Sequence, residues 1–342
     1  MIRVGIAGMG MMGWFHARRY LQIPGAELVA IADVTPSRLE ATEAVTGNLP
    51  DRSARADLSR LGRYPDASAL IEEADVDVVD ICLPTYLHAE HAIQALEAGH
   101  HVLCEKPMAL NVAQANRMVD AAARSGQKLM IAQCIRFWPE YCYLQQCVAE
   151  EPFGKLLSLN MVRLGGRPIW SWENWFTDPA RSGGPMYDLH VHDVDFCQAM
   201  LGMPDRIEAV GRKLQADGAH EVVHALFHYQ DGPQVHVHAG WSNAQIPFNS
   251  AFDAWFERGF LRFDGRNDPA LLVYDDLQRV DAHPAEIEPG DAYQNEIAYF
   301  LDCVERDAAP AQCLPESTRD SLRLIDLEIE SIESGRAVRG KE

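Results

Sequence analysis

Ala7-Gly8-Met9-Gly10-Met11-Met12-Gly13 follows the strand-like run Val4–Ala7 and opens a stretch of helical character. In a G-x-G-x-x-G turn the first glycine permits a tight bend and the second lets the backbone approach a pyrophosphate. The third lets the helix pack closely on the strand, and the helix N-terminus, here Met11 and Met12, meets the anion. The pattern is weak alone, but its context is specific. Asp33 closes the next strand, Leu28–Asp33, 20 residues after Gly13, where a carboxylate accepts hydrogen bonds from an adenosine ribose. A carboxylate there repels a 2′-phosphate, and Val34 and Thr35 follow it rather than an arginine, although Arg38 lies within one helical turn. NAD is therefore expected in preference to NADP.

Outward from this turn, strand and helix signals alternate. Further strands are expected at Val76–Leu83, His101–Glu105 and Lys128–Gln133, and Val78-Val79-Asp80-Ile81 has the nearly continuous apolar character of a strand buried on both faces. Pro36 suits a first helical position before Ser37–Val45, His88–Ala98 stops at Gly99, and Asn111 is placed to cap Val112–Arg124 ahead of Gly126. Gly47–Pro65 is polar, rich in Arg and Asp, and reads as loop. Repeated strand–helix–strand units give a doubly wound parallel sheet, a Rossmann domain over residues 1–135.

Beyond residue 136 strands follow one another directly: Leu156–Arg163, Arg206–Arg212, Val222–Tyr229, Val235–Trp241, Phe252–Phe256, Phe260–Phe263 and Leu271–Tyr274. This succession predicts a large, mostly antiparallel open sheet, with helices at Pro185–Leu201, Tyr293–Arg306 and Pro315–Ser334, in a C-terminal α+β domain over residues 136–342. A chain of 342 residues accommodates two such domains.

Composition narrows the function classes. The 30 basic and 50 acidic side chains give a net charge of −20, which repels nucleic acids and anionic lipid surfaces. Residues 1–135 carry a net of −4 and the remainder −16, so the expected cofactor domain is nearly balanced where it must accept a pyrophosphate. The eight cysteines form no Cys-x-x-Cys, which points to reduced thiols in the cytoplasm rather than a zinc ribbon or disulfide framework. No export leader and no membrane-length apolar run is read.

Three further segments carry a resemblance. Pro84-Thr85-Tyr86-Leu87-His88, Gly99-His100-His101-Val102-Leu103-Cys104-Glu105-Lys106-Pro107 and Gly183-Gly184-Pro185-Met186-Tyr187-Asp188-Leu189-His190-Val191-His192 resemble the Gfo/Idh/MocA oxidoreductases, the group of glucose–fructose oxidoreductase and inositol dehydrogenase. The likeness runs from the glycine loop to the Tyr293–Phe300 helix and the Ser331–Val338 tail. It implies NAD(P)-dependent oxidation or reduction of a sugar, inositol-like polyol or sugar derivative, with Lys106, Asp188 and His192 matching the family's catalytic trio.

The residues support that chemistry. Hydride transfer from a carbinol carbon requires a group that takes the hydroxyl proton. Lys106 follows a strand at its carboxyl end, where doubly wound sheets bind ligands. Asp188 and His192 stand four apart and share a face if helical, so the carboxylate can orient the imidazole. His192 is read as the acid/base, with Lys106 polarising the substrate oxygen and relaying the proton. The expected cofactor set is Gly8, Gly10, Met11, Met12, Gly13, Asp33, Arg38, Pro84, His88, Glu105 and Lys106. His88 either contacts cofactor or caps a helix, and Glu105 supports Lys106. Arg136 either meets substrate or pairs with a carboxylate; Trp172 and Trp175 either stack on a sugar or nicotinamide ring or pack their own loop.

Two rival readings stand beside this one. A dinucleotide-binding sensor needs the glycine loop without the trio. A metal-dependent hydrolase would use His190 and His192, or the His236-Val237-His238 pair, whose strand alternation puts both rings on one face. If residues 188–195 are helical, His190 and His192 point about 200° apart, which disfavours shared ligation, so no metal is expected. His236 and His238 read as a stripe on an open sheet that joins subunits in a homodimer or homotetramer.

Overall fold

A computed structural model describes residues 1–40, 57–214, 218–276, 278 and 280–341. In chain order its elements begin with β1 (Ile2–Ala7), α1 (Met11–Tyr20), β2 (Ala26–Ala32), α2 (Pro36–Leu39), β3 (Gly62–Tyr64), α3 (Ala67–Glu73), β4 (Val78–Ile81) and α4 (His88–Glu97). There follow β5 (His101–Glu105), α5 (Val112–Ser125), β6 (Leu129–Ala132), α6 (Pro139–Glu150), β7 (Leu156–Gly166), α7 (Pro179–Ser182) and α8 (Val191–Leu201). The rest are β8 (Arg206–Lys213), β9 (His220–His228), β10 (Gln234–Ser242), β11 (Asn249–Phe256), β12 (Phe260–Asp264), β13 (Leu271–Tyr274), β14 (His283–Pro284), α9 (Ala292–Glu305), α10 (Pro315–Ser334) and β15 (Val338–Arg339).

These elements form two compact units. The first comprises Met1–Cys134, Pro168–Ser182 and Asp291–Arg319; the second comprises Ile135–Arg167, Gly183–Gly290 and Asp320–Glu342. A single cut after residue 135 is thus too simple, because two later segments return to the first unit. The physical reason is packing. The Phe15 ring of α1 meets Tyr293 of α9 edge-on at 4.9 Å, and the Arg19 guanidinium binds Asp291 at 2.7 Å. Residues 168–182 fold against the 84–88 turn, where Arg181 donates to the Tyr86 hydroxyl at 3.2 Å.

In the first unit the strands lie in the order β3-β2-β1-β4-β5-β6, and every pairing is parallel. This is the Rossmann order, with the topological switch between β1 and β4. Apolar strands produce it: Val78, Val79 and Ile81 of β4 are wholly buried, as a sheet covered on both faces requires. The Asn111 side chain accepts from the Gln114 amide, and Gly126 ends α5 in the left-handed conformation. The short edge strand β3 falls inside the stretch read as loop; three residues of Gly-Arg-Tyr carry no alternation to betray it. Residues 41–45 of the expected second helix and 47–56 of the expected loop lie outside the described residues.

The second unit holds a nine-stranded sheet ordered β14-β13-β12-β11-β7-β10-β9-β8-β15. Among the described residues only β7 and β10 pair in parallel; the remaining neighbours are antiparallel. One face packs on helices. Tyr141 of α6 meets Phe196 of α8 and Phe252 and Phe263 of the sheet, each edge-on within 5.4 Å. The other face is open, exposing Val210, Val222, Leu226 and Trp255. Such one-sided burial is what alternating strands dictate. The expected continuous helix from Pro185 is instead a π-turn over Met186–His190 that leads into α8.

No disulfide joins any of the eight cysteines. Among the described residues no helix is long and apolar enough to cross a membrane.

Candidate active site

The glycine turn is built by close approach. Gly8 has φ of +99°, and a Cβ on it would lie 2.6 Å from the Cys82 carbonyl oxygen, beyond the end of β4; one on Gly13 would lie 1.9 Å from the Gly8 oxygen. Only glycine lets β1, α1 and β4 meet here. Gly10 differs, because a Cβ on it would meet nothing within 4 Å. The protein itself does not demand glycine at position 10, but a pyrophosphate lying against the backbone would. Gly10 also caps α1 without any side-chain hydrogen bond, which leaves the helix N-terminus to an anion. The residues present therefore fit a dinucleotide.

Asp33 stands at the end of β2, where the pattern predicts the ribose. Its carboxylate accepts from the Met9 amide at 2.9 Å and the Thr35 amide at 2.8 Å, so it fixes the shape of the glycine loop as well. The Arg38 guanidinium lies 3.4 Å away. Pro84 opens a single 3₁₀ turn at Thr85–Leu87 on the other side of the switch point.

His88 braces backbone carbonyls in the folded chain. The ring is buried, with Nδ1 2.8 Å from the Pro107 oxygen and Nε2 2.8 Å from the Leu83 oxygen. Whichever nitrogen carries the proton donates to a carbonyl, and burial lowers the pKa. At the first position of α4 the ring reaches back to brace two loops against each other.

Lys106 follows β5 directly, and its peptide bond to Pro107 is cis. Its backbone amide donates to the Glu105 carboxylate at 3.1 Å, and the other oxygen of that carboxylate lies 3.1 Å from His16 Nε2. His16 Nδ1 lies 2.8 Å from Asp80, and the Cys82 thiol donates to Asp80 at 3.5 Å. Burial alone would lower the His16 pKa, but Asp80 and Cys82 outweigh it and hold the imidazole well above its ordinary value. Burial likewise pushes the Glu105 carboxyl up, and His16 and Lys106 bring it below the ordinary range. A buried imidazolium between two carboxylates thus anchors the strand end that carries Lys106. Glu296 of α9 is also wholly buried, and burial with the neighbouring Glu105 raises its pKa well above the carboxylate range. Sequence reading missed His16 and Glu296; a histidine three residues after Gly13, on the face of α1 that must meet the sheet, was the available signal.

Among the described residues, His16, Asp80 and Cys82 form one set whose ligating atoms lie within 4.8 Å of one another. Asp80 and Cys82 raise the His16 pKa against the effect of burial, and burial pushes the Cys82 thiol up.

In the second unit Gly183 and Gly184, with φ of +75° and +71°, turn the chain into the π-turn at 186–190. From residue 184 to residue 198 every side chain is buried except two, Asp188 and His192. Their neighbours are committed elsewhere. Arg163 of β7 grips Asp193 at 2.7 and 3.1 Å, and Arg136 grips Asp195 through two contacts of 2.7 Å, both pairs buried. His190 Nε2 bonds Glu328 at 2.6 Å in complete burial. Of the two roles weighed for Arg136, the structure shows the ion pair, with Nε and Nη2 both on the Asp195 carboxylate.

Trp175 is half-buried and stacks on Phe176 at 4.0 Å, packing within its own loop. In the same unit Arg181 lies over the Tyr86 ring at 4.9 Å and the Trp172 ring at 5.5 Å, and pairs with Glu173.

Comparison with known proteins agrees with this geometry. Residues 2–133 match the family model described as an oxidoreductase family with NAD-binding Rossmann fold, and residues 141–262 match the GFO/IDH/MocA C-terminal domain. An inositol 2-dehydrogenase of Rhizobium meliloti is 24% identical over 98% of both chains. A D-glucoside 3-dehydrogenase of Escherichia coli is 31% identical over 59% of this chain and 55% of its own length, so some relatives are matched over about half their length. Among solved structures, a levoglucosan dehydrogenase in complex with NADH and levoglucosan superposes with a TM-score of 0.85 at 21% identity over the whole of both chains. With its Rossmann strand order, its cofactor turn and both matching domains, this chain belongs to the Gfo/Idh/MocA family of NAD-binding oxidoreductases.

Proposed function

We propose that the protein is an NAD-dependent dehydrogenase that moves a hydride between nicotinamide and a carbinol carbon of a sugar, inositol-like polyol or related derivative. The observation that carries this reading is the selective opening of Asp188 and His192 in a stretch otherwise sealed from residue 184 to 198. A buried helix that leaves out only a carboxylate and an imidazole four residues apart has the components of an acid/base pair. The π-turn that carries Asp188 and leads into the helix of His192 is a feature frequent at functional sites.

In this reading, NAD would be held by the Gly8–Gly13 turn and Asp33 and would supply the hydride acceptor for the alcohol C–H bond. His192 takes the hydroxyl proton, Asp188 orients the imidazole and stabilises its charged form, and Lys106 polarises the substrate oxygen. The His16–Glu105 anchor holds the Lys106 backbone. The likeness to inositol and glucoside dehydrogenases supports the substrate class. The Asp33 carboxylate favours NAD over NADP, since it disfavours a 2′-phosphate and has Arg38 paired to it. The open sheet face with Val210, Val222, Leu226 and Trp255 supports assembly as a homodimer or homotetramer through the second unit.

The test is a screen of inositols, aldoses and sugar derivatives with both cofactors, followed through reduced nicotinamide absorbance. Turnover with higher kcat/KM for NAD is expected, and Lys106→Ala and His192→Ala should each lower kcat at least about a hundredfold. Near-normal rates in both variants, or a clear preference for NADP, would overturn the corresponding assignment. Tight NADH binding without turnover on any member of the panel would favour a sensor.

A further inference from the structure

On the open face of the nine-stranded sheet, the face that carries Val222 and Leu226, three imidazoles gather. His236 and His238 lie two apart on β10 and so point to the same side, and His224 on β9 stands directly opposite His238 in the antiparallel register. The His224 and His238 rings stack with centroids 3.9 Å apart, and His224 Nδ1 lies 3.3 Å from His236 Nε2. From β7, paired with β10 on its other side, Asn160 places its Oδ1 2.6 Å from His236 Nδ1.

We propose that His224, His236 and His238 form a binding site for a divalent transition-metal ion of the zinc class. Three histidines with an open fourth position are an established zinc ligand set, and imidazole is a favoured donor for such ions. Two features go beyond mere clustering. In a tetrahedral site with ordinary Zn–N bonds, ligand nitrogens lie about 3.3–3.4 Å apart, which is the separation already present between His224 and His236. Asn160 supplies the second feature. As its Oδ1 accepts a hydrogen bond, the proton of His236 is held on Nδ1 and the lone pair of Nε2 is turned toward His224.

Ligation balances without loss of charge. The metal enters between His224 Nδ1 and His236 Nε2, and the single N–H proton of neutral His224 moves from Nδ1 to Nε2, so both facing nitrogens offer lone pairs and no proton is lost. The half-buried His238 ring rotates from its stacked position to give the third nitrogen, and water completes the shell. All three rings must be neutral to bind.

The experiment is calorimetric titration of untagged protein, as purified, with Zn²⁺ at pH 7.5, together with the visible spectrum after Co²⁺ addition. About one equivalent should bind per chain, with the Co²⁺ spectrum of a four-coordinate nitrogen and water site. His236→Ala should abolish this stoichiometric binding, Asn160→Ala should weaken it roughly 10–100-fold, and Cys82→Ser should leave it unchanged. On the wild type, saturating Zn²⁺ should protect these three histidines from diethyl pyrocarbonate, mapped by mass spectrometry; this readout does not depend on any variant folding. Absence of stoichiometric binding, binding that survives His236→Ala, or unchanged modification of the three rings would overturn the proposal.

Discussion

Replacing Arg136 distinguishes a structural cation from a substrate-binding one. Its guanidinium makes two contacts of 2.7 Å with Asp195, and both side chains are essentially sealed, at 5% and 0% exposure. The Ser321 hydroxyl donates to the same carboxylate at 2.8 Å. In Arg136→Ala, Asp195 loses its counter-charge while remaining buried, and breaking such a pair costs about 3–5 kcal/mol. In a unit of this size each kcal/mol shifts Tm by about 2–4 °C, so the variant should melt roughly 6–20 °C lower. The double replacement Arg136→Met with Asp195→Leu removes both charges and should regain most of the loss, because apolar packing often substitutes for a buried ion pair without penalty. Thermal unfolding followed by circular dichroism measures all three proteins. A single variant with unchanged Tm and a raised KM for substrate would refute the reasoning and return Arg136 to the substrate site.

Other perturbations test the cofactor loop and the buried network. Gly13→Ala drives a Cβ to 1.9 Å from the Gly8 oxygen and should prevent the first unit from folding, whereas Gly10→Ala meets nothing within 4 Å. The second variant should keep stability within about 0.5 kcal/mol and still bind NADH at least tenfold more weakly by fluorescence titration; unaltered NADH affinity would show that no pyrophosphate approaches Gly10. His16 is held above its ordinary pKa, so its stabilising contribution is complete below the unfolded value near 6.5 and is lost as pH rises through the folded value. Urea midpoints of the wild type should therefore fall above about pH 6.5, with a slope of at most about 1.4 kcal/mol per pH unit, and His16→Gln should remove that part of the slope. Glu296, also raised, adds a loss of the same sign from the carboxylate range upward that the variant retains. Equal slopes above pH 6.5 in both proteins would contradict a charged His16.

Much of the fold was legible because its signals are local. His101–Glu105 and Leu271–Tyr274 have the bounds that composition predicts, and Pro315–Ser334 runs from its proline through a continuous helical pattern. What escaped were elements whose local pattern is poor, such as the three-residue β3, and α6, whose Tyr141, Leu144 and Cys147 are buried within an otherwise polar segment. The π-turn at 186–190 was also hidden, since nothing in Met-Tyr-Asp-Leu-His separates it from an α-helical start.

The candidate site divides in the same way. Spacing alone determined the glycine turn, the carboxylate at the end of β2, the lysine after β5 and the four-residue interval from Asp188 to His192, because each depends on chain distance and element type. Tertiary structure decided which polar groups are already spent. Arg136, His88 and His190 look like ligands in a linear reading, yet each meets a partner 19 to 138 residues away that occupies it in burial. It also decided that His16 is charged and that His224 joins His236 and His238. Partnership, dielectric and protonation are set by what surrounds a side chain in space, and only the folded chain supplies those surroundings.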